Sequence, residues 1–243
     1  MAARALEPQL NCVAALRSPL TGIIDSHAYM LALLAEAQSR GAILACGSRV
    51  TRLVLEDRGA RLAVNGAAPA LRTRLVVNCA GIAAPQLARL MQGFPAAHVP
   101  AAYYAKGSYF ALEGRSPFRH LVYPIPEPGG LGIHLTLDLA GRARFGPDVQ
   151  WVASPEYDVD PRRSARFYAA VRRYWPALPE GALHPAYAGV RSRISGPGEP
   201  AADFRIDDER VHGRRGVLNL FGIESPGLTA SLALAEEAAS RIE

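Results

Sequence analysis

Apolar and polar positions alternate with two different periods along this chain, and each period predicts one kind of element. Apolar residues recur every three to four positions in three segments, which predicts helices over 25–40, 84–90 and 161–174. Alternating or continuous β-branched and aromatic runs predict strands at 12–16, 42–45, 50–56, 61–64, 71–80, 103–110, 131–136 and 217–221. The strands predicted at 50–56 and 61–64 flank Asp57-Arg58-Gly59, a turn sequence, and are expected to form a hairpin.

The C-terminal segment has the most informative order of elements. The run 217–221 stops at Gly222, a turn with Ser225, Pro226 and Gly227 follows, and a helix is expected from about Leu228. A strand, a glycine turn and a helix start direct backbone N–H groups and the positive end of a helix dipole at one spot. Such a spot would hold a phosphate, a carboxylate or the electron-rich edge of a flavin ring. An ordinary strand-to-helix crossover explains the same pattern.

Composition indicates a globular protein and favours the cytoplasm. Hydrophobic residues make up 49% of the chain and charged residues 20%, and 243 residues are enough for a large core. No apolar run is long enough to cross a bilayer, and the first residues lack the apolar centre of a signal peptide. Peripheral contact with a membrane stays open.

The positive charge does not point to nucleic acid. The formal net charge is +5 and the pI is near 9.4, but the arginines are scattered and Lys106 is the single lysine. No basic helix and no interleaving of basic and aromatic residues is present. Three widely spaced cysteines are expected to be reduced core residues, and no metal site is expected.

Several strings resemble a known family. They are VVNCAG at 76–81, LVYPIPEP at 121–128, LGIHLT at 131–136, FGPD at 145–148, YAGVRSR at 187–193 and NLFGIESPGLTAS at 219–231. Together they resemble the FAD-dependent oxidoreductases of the D-amino-acid-oxidase and glycine-oxidase superfamily. Within it, they are most similar to the L-2-hydroxyglutarate dehydrogenases (oxidases). The resemblance runs from about Leu6 to the C-terminus.

The resemblance implies a mixed α/β (α+β) fold. A partial Rossmann-like FAD-binding domain is expected to interleave with an antiparallel-sheet substrate domain. The expected division is a substrate-domain strand region at 1–20, FAD-binding parts at 21–99 and 186–243, and a substrate-binding domain at 100–185.

The resemblance also implies FAD as the cofactor and a small 2-hydroxy acid as the substrate. Oxidation of that acid to the 2-oxo acid needs a cation on the substrate carboxylate and a base for the hydroxyl proton. Oxygen, a quinone or a carrier protein is left open as the electron acceptor. The residues implied as cofactor-binding are Val50, Ala80, Gly81, Gly222, Gly227, Leu228 and Thr229.

Arg191 is the expected carboxylate clamp, because its planar fork can donate two parallel hydrogen bonds. Arg193 is the second choice, for a distal carboxylate. On a strand, His134 faces away from Ile133 and Leu135, which favours it as the base; a structural histidine is the alternative. Tyr123 is a candidate substrate-contacting hydroxyl, against a role in core packing, and a surface ion pair is the alternative for Arg191.

One motif of the family is absent from the sequence. No G-x-G-x-x-G follows an apolar strand, and the glycines at 129–132 follow a proline-rich turn and lead into a strand. The sequence is therefore expected to correspond to the C-terminal two-thirds of an enzyme. Three functions stay open: oxidation of a 2-hydroxy acid, oxidation of an amino acid of the glycine or D-amino-acid type, or a non-catalytic fragment that does not hold FAD alone.

Overall fold

A computed structural model describes residues 2–68, 71–126 and 132–242. It separates into two units: Met1–Leu33 with Ala105–Val190, and Leu34–Tyr104 with Arg191–Glu243. We call them the first and the second unit. The domain division expected at 20, 99 and 185 stays a prediction. Gly129 and Gly130, and the first residue of the strand expected at 131–136, lie outside the described residues.

Helices and strands are numbered in chain order. The helices are α1 Ala2–Leu6, α2 Ser26–Ser39, α3 Ala84–Leu90, α4 Ser164–Tyr174, α5 Glu209–His212 and α6 Ser231–Ser240. The strands are β1 Val50–Leu55, β2 Ala60–Val64, β3 Leu71–Thr73, β4 Val76–Asn78, β5 Met91–Gln92, β6 Tyr103–Leu112, β7 His134–Leu137, β8 Ala143–Gly146, β9 Gln150–Val152, β10 Leu183–Arg193, β11 Arg205–Asp207 and β12 Val217–Phe221.

A five-stranded sheet is the centre of the first unit. Its order is β10-β6-β8-β7, and β9 also pairs with β6. The β6–β8 and β7–β8 pairs are antiparallel, and they align Phe110, Phe145 and Leu135 on one face. These three side chains are fully buried in one cluster with Phe167 and Val171 of α4. Burial of this apolar face fixes the register, because a slip by one residue would turn the face to solvent.

The second unit contains two smaller sheets. One has the order β3-β2-β1-β5, and the other has the order β11-β12-β4. In the three-stranded sheet, β12 runs parallel to β4 and antiparallel to β11. Ala84 and Ala88 of α3 are buried against Phe221 of β12. The expected mixed α/β fold class is confirmed, and so are the helices near 25–40, 84–90 and 161–174 and the strand over 217–221.

Two expected strands are absent, for one reason. Residues 12–16 and 42–45 belong to no helix or strand of the described chain. The large apolar side chains there are exposed: Val13 by 108%, Leu16 by 103% and Ile43 by 90%. Their sequence has strand propensity, but a strand forms only where another strand takes its backbone hydrogen bonds. The strand region expected at 1–20 is therefore wrong as secondary structure.

Two boundaries also differ from expectation. The single strand expected over 71–80 is two strands, β3 and β4, in different sheets. Between them, Thr73 Oγ1 accepts a hydrogen bond from the backbone N–H of Leu75, which interrupts the hydrogen bonding between strands. The last helix begins at Ser231 instead of Leu228. Before it, residues 225–230 form a turn, in which Ala230 N–H and Thr229 Oγ1 both donate to the Pro226 carbonyl.

Asp148 is more than the turn residue that Gly-Pro-Asp indicates. Its side chain is fully buried, and Oδ1 accepts the backbone N–H of Ser108 at 2.9 Å. Oδ2 accepts Nε of Arg163 at 2.7 Å and also Nη2 of that residue. The carboxylate therefore ties β6 to the start of the α4 segment.

Replacement of Asp148 by Asn should lower the free energy of unfolding by about 2–4 kcal/mol, because Arg163 loses a buried counter-charge. Urea unfolding followed by circular dichroism measures this. Glu180→Gln is the control, since Glu180 is 79% exposed in its pair with Arg172 and its loss should change stability little. An equal loss of unfolding free energy in Asp148→Asn and Glu180→Gln would contradict the stabilising role of the buried Asp148 carboxylate.

Gly222 allows the chain to leave β12. Its φ is 68°, and a Cβ there would lie 3.0 Å from Cγ1 of Ile194. A non-glycine residue therefore meets both the left-handed backbone penalty and the Ile194 side chain.

Gly222→Ala should cost about 1–2 kcal/mol of unfolding free energy, read from the urea midpoint at constant slope. Gly189→Ala is the matched control. Gly189 lies in β10 with no heavy atom within 4 Å of an added Cβ and no left-handed φ, so its change should stay within about 0.5 kcal/mol. Tolerance of Ala at both positions would show that the turn has another stable conformation.

Candidate functional site

The candidate site of the second unit lies at the carboxyl ends of β4 and β12. The two strands are parallel, with Asn219 opposite Asn78, so both chains leave the sheet at the same edge. Ala80-Gly81 follows β4 there, and Gly222 follows β12. In open α/β sheets, this is the edge at which ligands bind.

A buried amide pair holds this edge together. Asn78 Nδ2 donates to Asn219 Oδ1 at 2.8 Å and to the Ala84 carbonyl at 2.9 Å, and its Oδ1 accepts Ala80 N–H at 3.2 Å. Both side chains are at most 1% exposed. Among the described residues, Nδ2 of Asn219 has no hydrogen-bond partner. Sequence reasoning missed both residues, although a polar residue within each apolar run was a signal.

The glycine turns give this edge its shape. Gly81 has φ of 56° with no heavy atom within 4 Å of an added Cβ, so the space beside it is open. Gly227 N–H, expected as a donor for a ligand, donates to the Glu224 carbonyl instead. Leu228 and Thr229 are exposed, and α6 has no side-chain cap at Ala230. The N–H groups of Ala230 and Ser231 donate to the carbonyls of Pro226 and Leu228, so they and Gly227 N–H are not available to a ligand.

Two arginines lie beside the same edge. Arg191 and Arg193 are two residues apart on β10, which puts them on one face of the strand. Ser192 Oγ, between them, donates to the Gly81 carbonyl at 3.3 Å. Arg191 Nη1 lies 3.2 Å from Oε2 of Glu224, and Arg193 Nε lies 3.4 Å from Oε1. Glu224 is the residue of this cluster that sequence reasoning missed.

His134 and Tyr123 lie in the first unit. His134 is on the face of the sheet opposite Leu135 and is only 6% exposed. The Tyr123 ring is 4.0 Å from the His134 ring, centroid to centroid, and is itself 58% exposed. Gly146 pairs with His134 across the sheet, so no side chain stands beside the imidazole on β8. Tyr123 therefore shields His134 from water.

A second aromatic group lies in the first unit. Tyr109 and Tyr187 stack with centroids 4.6 Å apart, and the Arg144 guanidinium lies 5.6 Å from the centre of the Tyr187 ring. Burial raises the pKa of Tyr187, while Arg144 opposes that rise. Arg144 pairs with Thr136 across β7 and β8, so it is on the same sheet face as His134. Alternation of residues in β6 was the available signal for Tyr109.

The remaining expected positions separate into two groups. Val50 is half-buried at the start of β1, opposite Val64, in the four-stranded sheet of the second unit. Ala80, Gly81, Gly222, Arg191 and Arg193 come together at the β4–β12 edge, whereas His134 and Tyr123 belong to the first unit. The expected roles of all of these residues stay predictions.

The cysteines, the membrane and metals add three observations about the described chain. Cys46 and Cys79 are exposed and Cys12 is half-buried, so the expectation of core cysteines is wrong, although all three are free. No described helix has the length and apolar character to cross a bilayer. Within residues 2–68, 71–126 and 132–242, no three His, Cys, Asp or Glu side chains group as metal ligands.

The arrangement at the β4–β12 edge can bind an anionic group. It offers an open turn at Gly81 and two guanidinium groups that face Glu224. Backbone N–H groups and arginines bind carboxylates and phosphates, and the absence of side chains at glycine lets a ring approach the backbone.

Comparison with solved structures shows the same fold. L-α-glycerophosphate oxidase from Mycoplasma pneumoniae with FAD bound superposes with a TM-score of 0.81 at 21% identity, over 99% of this chain and 62% of that one. Glycine oxidase from Bacillus cereus gives 0.78 at 17% identity, over 99% and 63%.

Comparison of sequences is more specific. The mitochondrial L-2-hydroxyglutarate dehydrogenase of Arabidopsis thaliana is 42% identical over 97% of this chain and 57% of its own length. This chain thus spans little more than half of that relative. The family described as FAD dependent oxidoreductase (DAO) matches residues 1–241, which confirms the resemblance seen in the sequence. The chain belongs to the DAO family of FAD dependent oxidoreductases.

Proposed function

We propose that this chain takes part in the FAD-dependent oxidation of a small 2-hydroxy acid, of the 2-hydroxyglutarate type, to the 2-oxo acid. The observation that carries the proposal is the placement of Arg191 beside the two glycine turns at the β4–β12 edge. The 42% identity to the Arabidopsis dehydrogenase, whose name contains that substrate, supports this choice of acid.

FAD is the cofactor by which the family is named, as the sequence led us to expect. When bound, it supplies the two-electron acceptor of the oxidation. Ala80, Gly81 and Gly222 would lie against it, because they follow β4 and β12 at one edge and the space beside Gly81 is open. The N–H groups of Leu228 and Thr229, in the turn before α6, would be directed at the cofactor, and Val50 would contribute backbone contact in the second unit. Gly227 would shape the turn and not donate.

Arg191 would bind the substrate carboxylate. Its Nη1 contacts Glu224, so the edge of the guanidinium formed by Nε and Nη2 is left to donate two parallel hydrogen bonds. Fixing the carboxylate by two bonds orients the neighbouring Cα and its hydroxyl, which lowers the entropic part of the barrier. Arg193 would act mainly on Glu224, with the distal carboxylate as its other expected role.

His134 would accept the hydroxyl proton at an unprotonated ring nitrogen. The Tyr123 ring against the imidazole excludes water from one side and fixes the plane of the ring. An imidazole accepts a proton near neutral pH, which suits a base in this reaction. Tyr123 has an exposed side chain, so its hydroxyl would contact the substrate.

Two alternatives remain distinguishable. Amino-acid oxidation rests on the glycine oxidase structure, but at 17% identity that likeness supports the fold alone. The second alternative is that the chain does not hold FAD, and it rests on the absence of G-x-G-x-x-G from the sequence. A cytoplasmic location, with peripheral membrane contact left open, stays a prediction, and the electron acceptor stays open between oxygen, a quinone and a carrier protein.

The experiment is flavin binding followed by turnover. The chain is incubated with FAD and desalted, its visible spectrum is recorded, and L-2-hydroxyglutarate, glycine or a D-amino acid is added with a reducible dye. We expect a retained flavin band and 2-oxo acid formed from the hydroxy acid. Preference for an amine would favour the alternative oxidation, and absence of the band would favour the non-binding fragment.

Arg191→Ala should raise KM and lower kcat/KM, because the substrate carboxylate loses a charged double hydrogen bond. The loss in kcat/KM should correspond to a rise of about 2–4 kcal/mol in activation free energy. Arg191→Lys is the matched control: it keeps the charge but not the fork, so it should recover only part of the loss. Steady-state rates against substrate concentration measure both. Near-normal kinetics of the Ala variant would remove Arg191 from the clamp role.

His134→Gln should remove the acidic limb of the pH–rate profile of kcat/KM, since Gln cannot take up the hydroxyl proton. The control is Tyr123→Phe, which keeps the ring on His134 and should leave that limb in place. Rates between pH 5.5 and 9 decide between the two roles. A profile of His134→Gln with the limb intact would leave this histidine a structural role.

A further inference from the structure

Glu224 connects the two arginines of the candidate site. One carboxylate oxygen contacts Nη1 of Arg191 at 3.2 Å, and the other contacts Nε of Arg193 at 3.4 Å. The Glu224 side chain is 13% exposed, and the two arginine side chains are 27% and 26% exposed. The Glu224 carboxylate is therefore largely shielded from water and has two close counter-charges.

The turn after β12 fixes where this carboxylate stands. Gly222 packs against the side chain of Ile194, which follows Arg193 in sequence. Two residues after Gly222, the Glu224 carbonyl accepts the N–H of Gly227. A Cβ on Gly227 would lie 2.6 Å from that carbonyl oxygen, so glycine is required there. The end of β10 and the turn are thus held together, with Glu224 between them.

Glu224 contacts one of the three guanidinium nitrogens of Arg191. Glu224 takes Nη1, the nitrogen on the same side as the aliphatic chain. Within the described residues, Nε and Nη2 of Arg191 have no protein acceptor. These two N–H groups point the same way and form the side fork, which matches the two oxygens of a carboxylate.

Glu224 also sets the charge of the cluster. Its carboxylate offsets one positive charge beside Arg191 and Arg193. Replacement of Glu224 by a neutral side chain would raise the positive charge by one, and a ligand with two negative charges would then gain more than a ligand with one.

We propose that Glu224 is a positioning residue that presents the Nε–Nη2 side fork of Arg191 to a ligand carboxylate and lowers the positive charge of the site by one. The proposal rests on the proposed function only in giving Arg191 a carboxylate to bind. It adds a determinant of selectivity between mono- and dicarboxylic acids.

The test is the binding of two 2-oxo acids, pyruvate with one carboxylate and 2-oxoglutarate with two. Isothermal titration with the full chain, with and without added FAD, gives both dissociation constants for each variant. In Glu224→Gln, pyruvate should bind several-fold more weakly, because displacement of the fork outweighs the added positive charge for a ligand with one carboxylate. For 2-oxoglutarate the added charge offsets more of that loss, so the ratio of the two dissociation constants should shift about tenfold toward 2-oxoglutarate. In Glu224→Asp, which keeps the charge but shortens the side chain, both ligands should weaken and the ratio should stay.

The matched control is Glu236→Gln. Glu236 is an exposed residue of α6, so this substitution changes the net charge of the molecule equally but not the cluster. In Glu236→Gln, the ratio of the dissociation constants of pyruvate and 2-oxoglutarate should equal that of the unmodified chain. Circular dichroism of each variant identifies loss of folding, and Glu224→Asp keeps the proposal testable if Glu224→Gln does not fold.

The outcomes separate this proposal from the proposed function. An unchanged ratio in Glu224→Gln overturns the positioning role while leaving Arg191 as the clamp. Unchanged affinities in Arg191→Ala, or no binding of either acid by the unmodified chain, overturn both. Binding that follows the expected pattern without turnover of any hydroxy acid supports the role of Glu224 and contradicts the proposed reaction alone.

Discussion

The parallel pairing of β4 with β12 is the constraint on which the candidate site depends. It joins Asn78 to Asn219, 141 residues later in the chain, through a buried amide hydrogen bond. Because the strands are parallel, the turns that follow them are neighbours, and the end of β10 reaches the same place through Ser192. Without this pairing, Gly81, Gly222 and Arg191 would be three unrelated residues on the surface of the chain.

Local patterns were sufficient for much of the fold. The helices α3 and α4 and the strand β12 follow from the spacing of apolar residues, and the mixed α/β class follows from their order. The failures have a common cause, since residues 12–16 and 42–45 have strand-like sequence but no neighbouring strand. Strand formation is a property of pairs, and the identity of the partner is not contained in a short window.

The residues of the site divide in the same way, into those that a short segment of sequence identifies and those that only tertiary contacts identify. Arg191 and the glycines could be named from strings that resemble a family, because each lies in a recognisable segment. Glu224 lies inside such a string too, but its partners are on β10, 31 and 33 residues earlier. A carboxylate in a turn reads as a solvated surface group until the structure brings two guanidinium groups to it. Ion-pair geometry of this kind depends on tertiary contacts.

Large apolar side chains that lie outside any core also have a consequence for handling the protein. Val13, Leu16, Leu20, Ile43 and Leu44 are all more than half exposed, and the molecule carries a net charge of +5. In dilute buffer, mutual repulsion keeps such molecules apart. Rising ionic strength shortens the range of that repulsion to about 3 Å at 1 M salt. Apolar contact between molecules then dominates, so the protein should be most soluble in low-salt buffers and should adsorb strongly to phenyl-substituted resins.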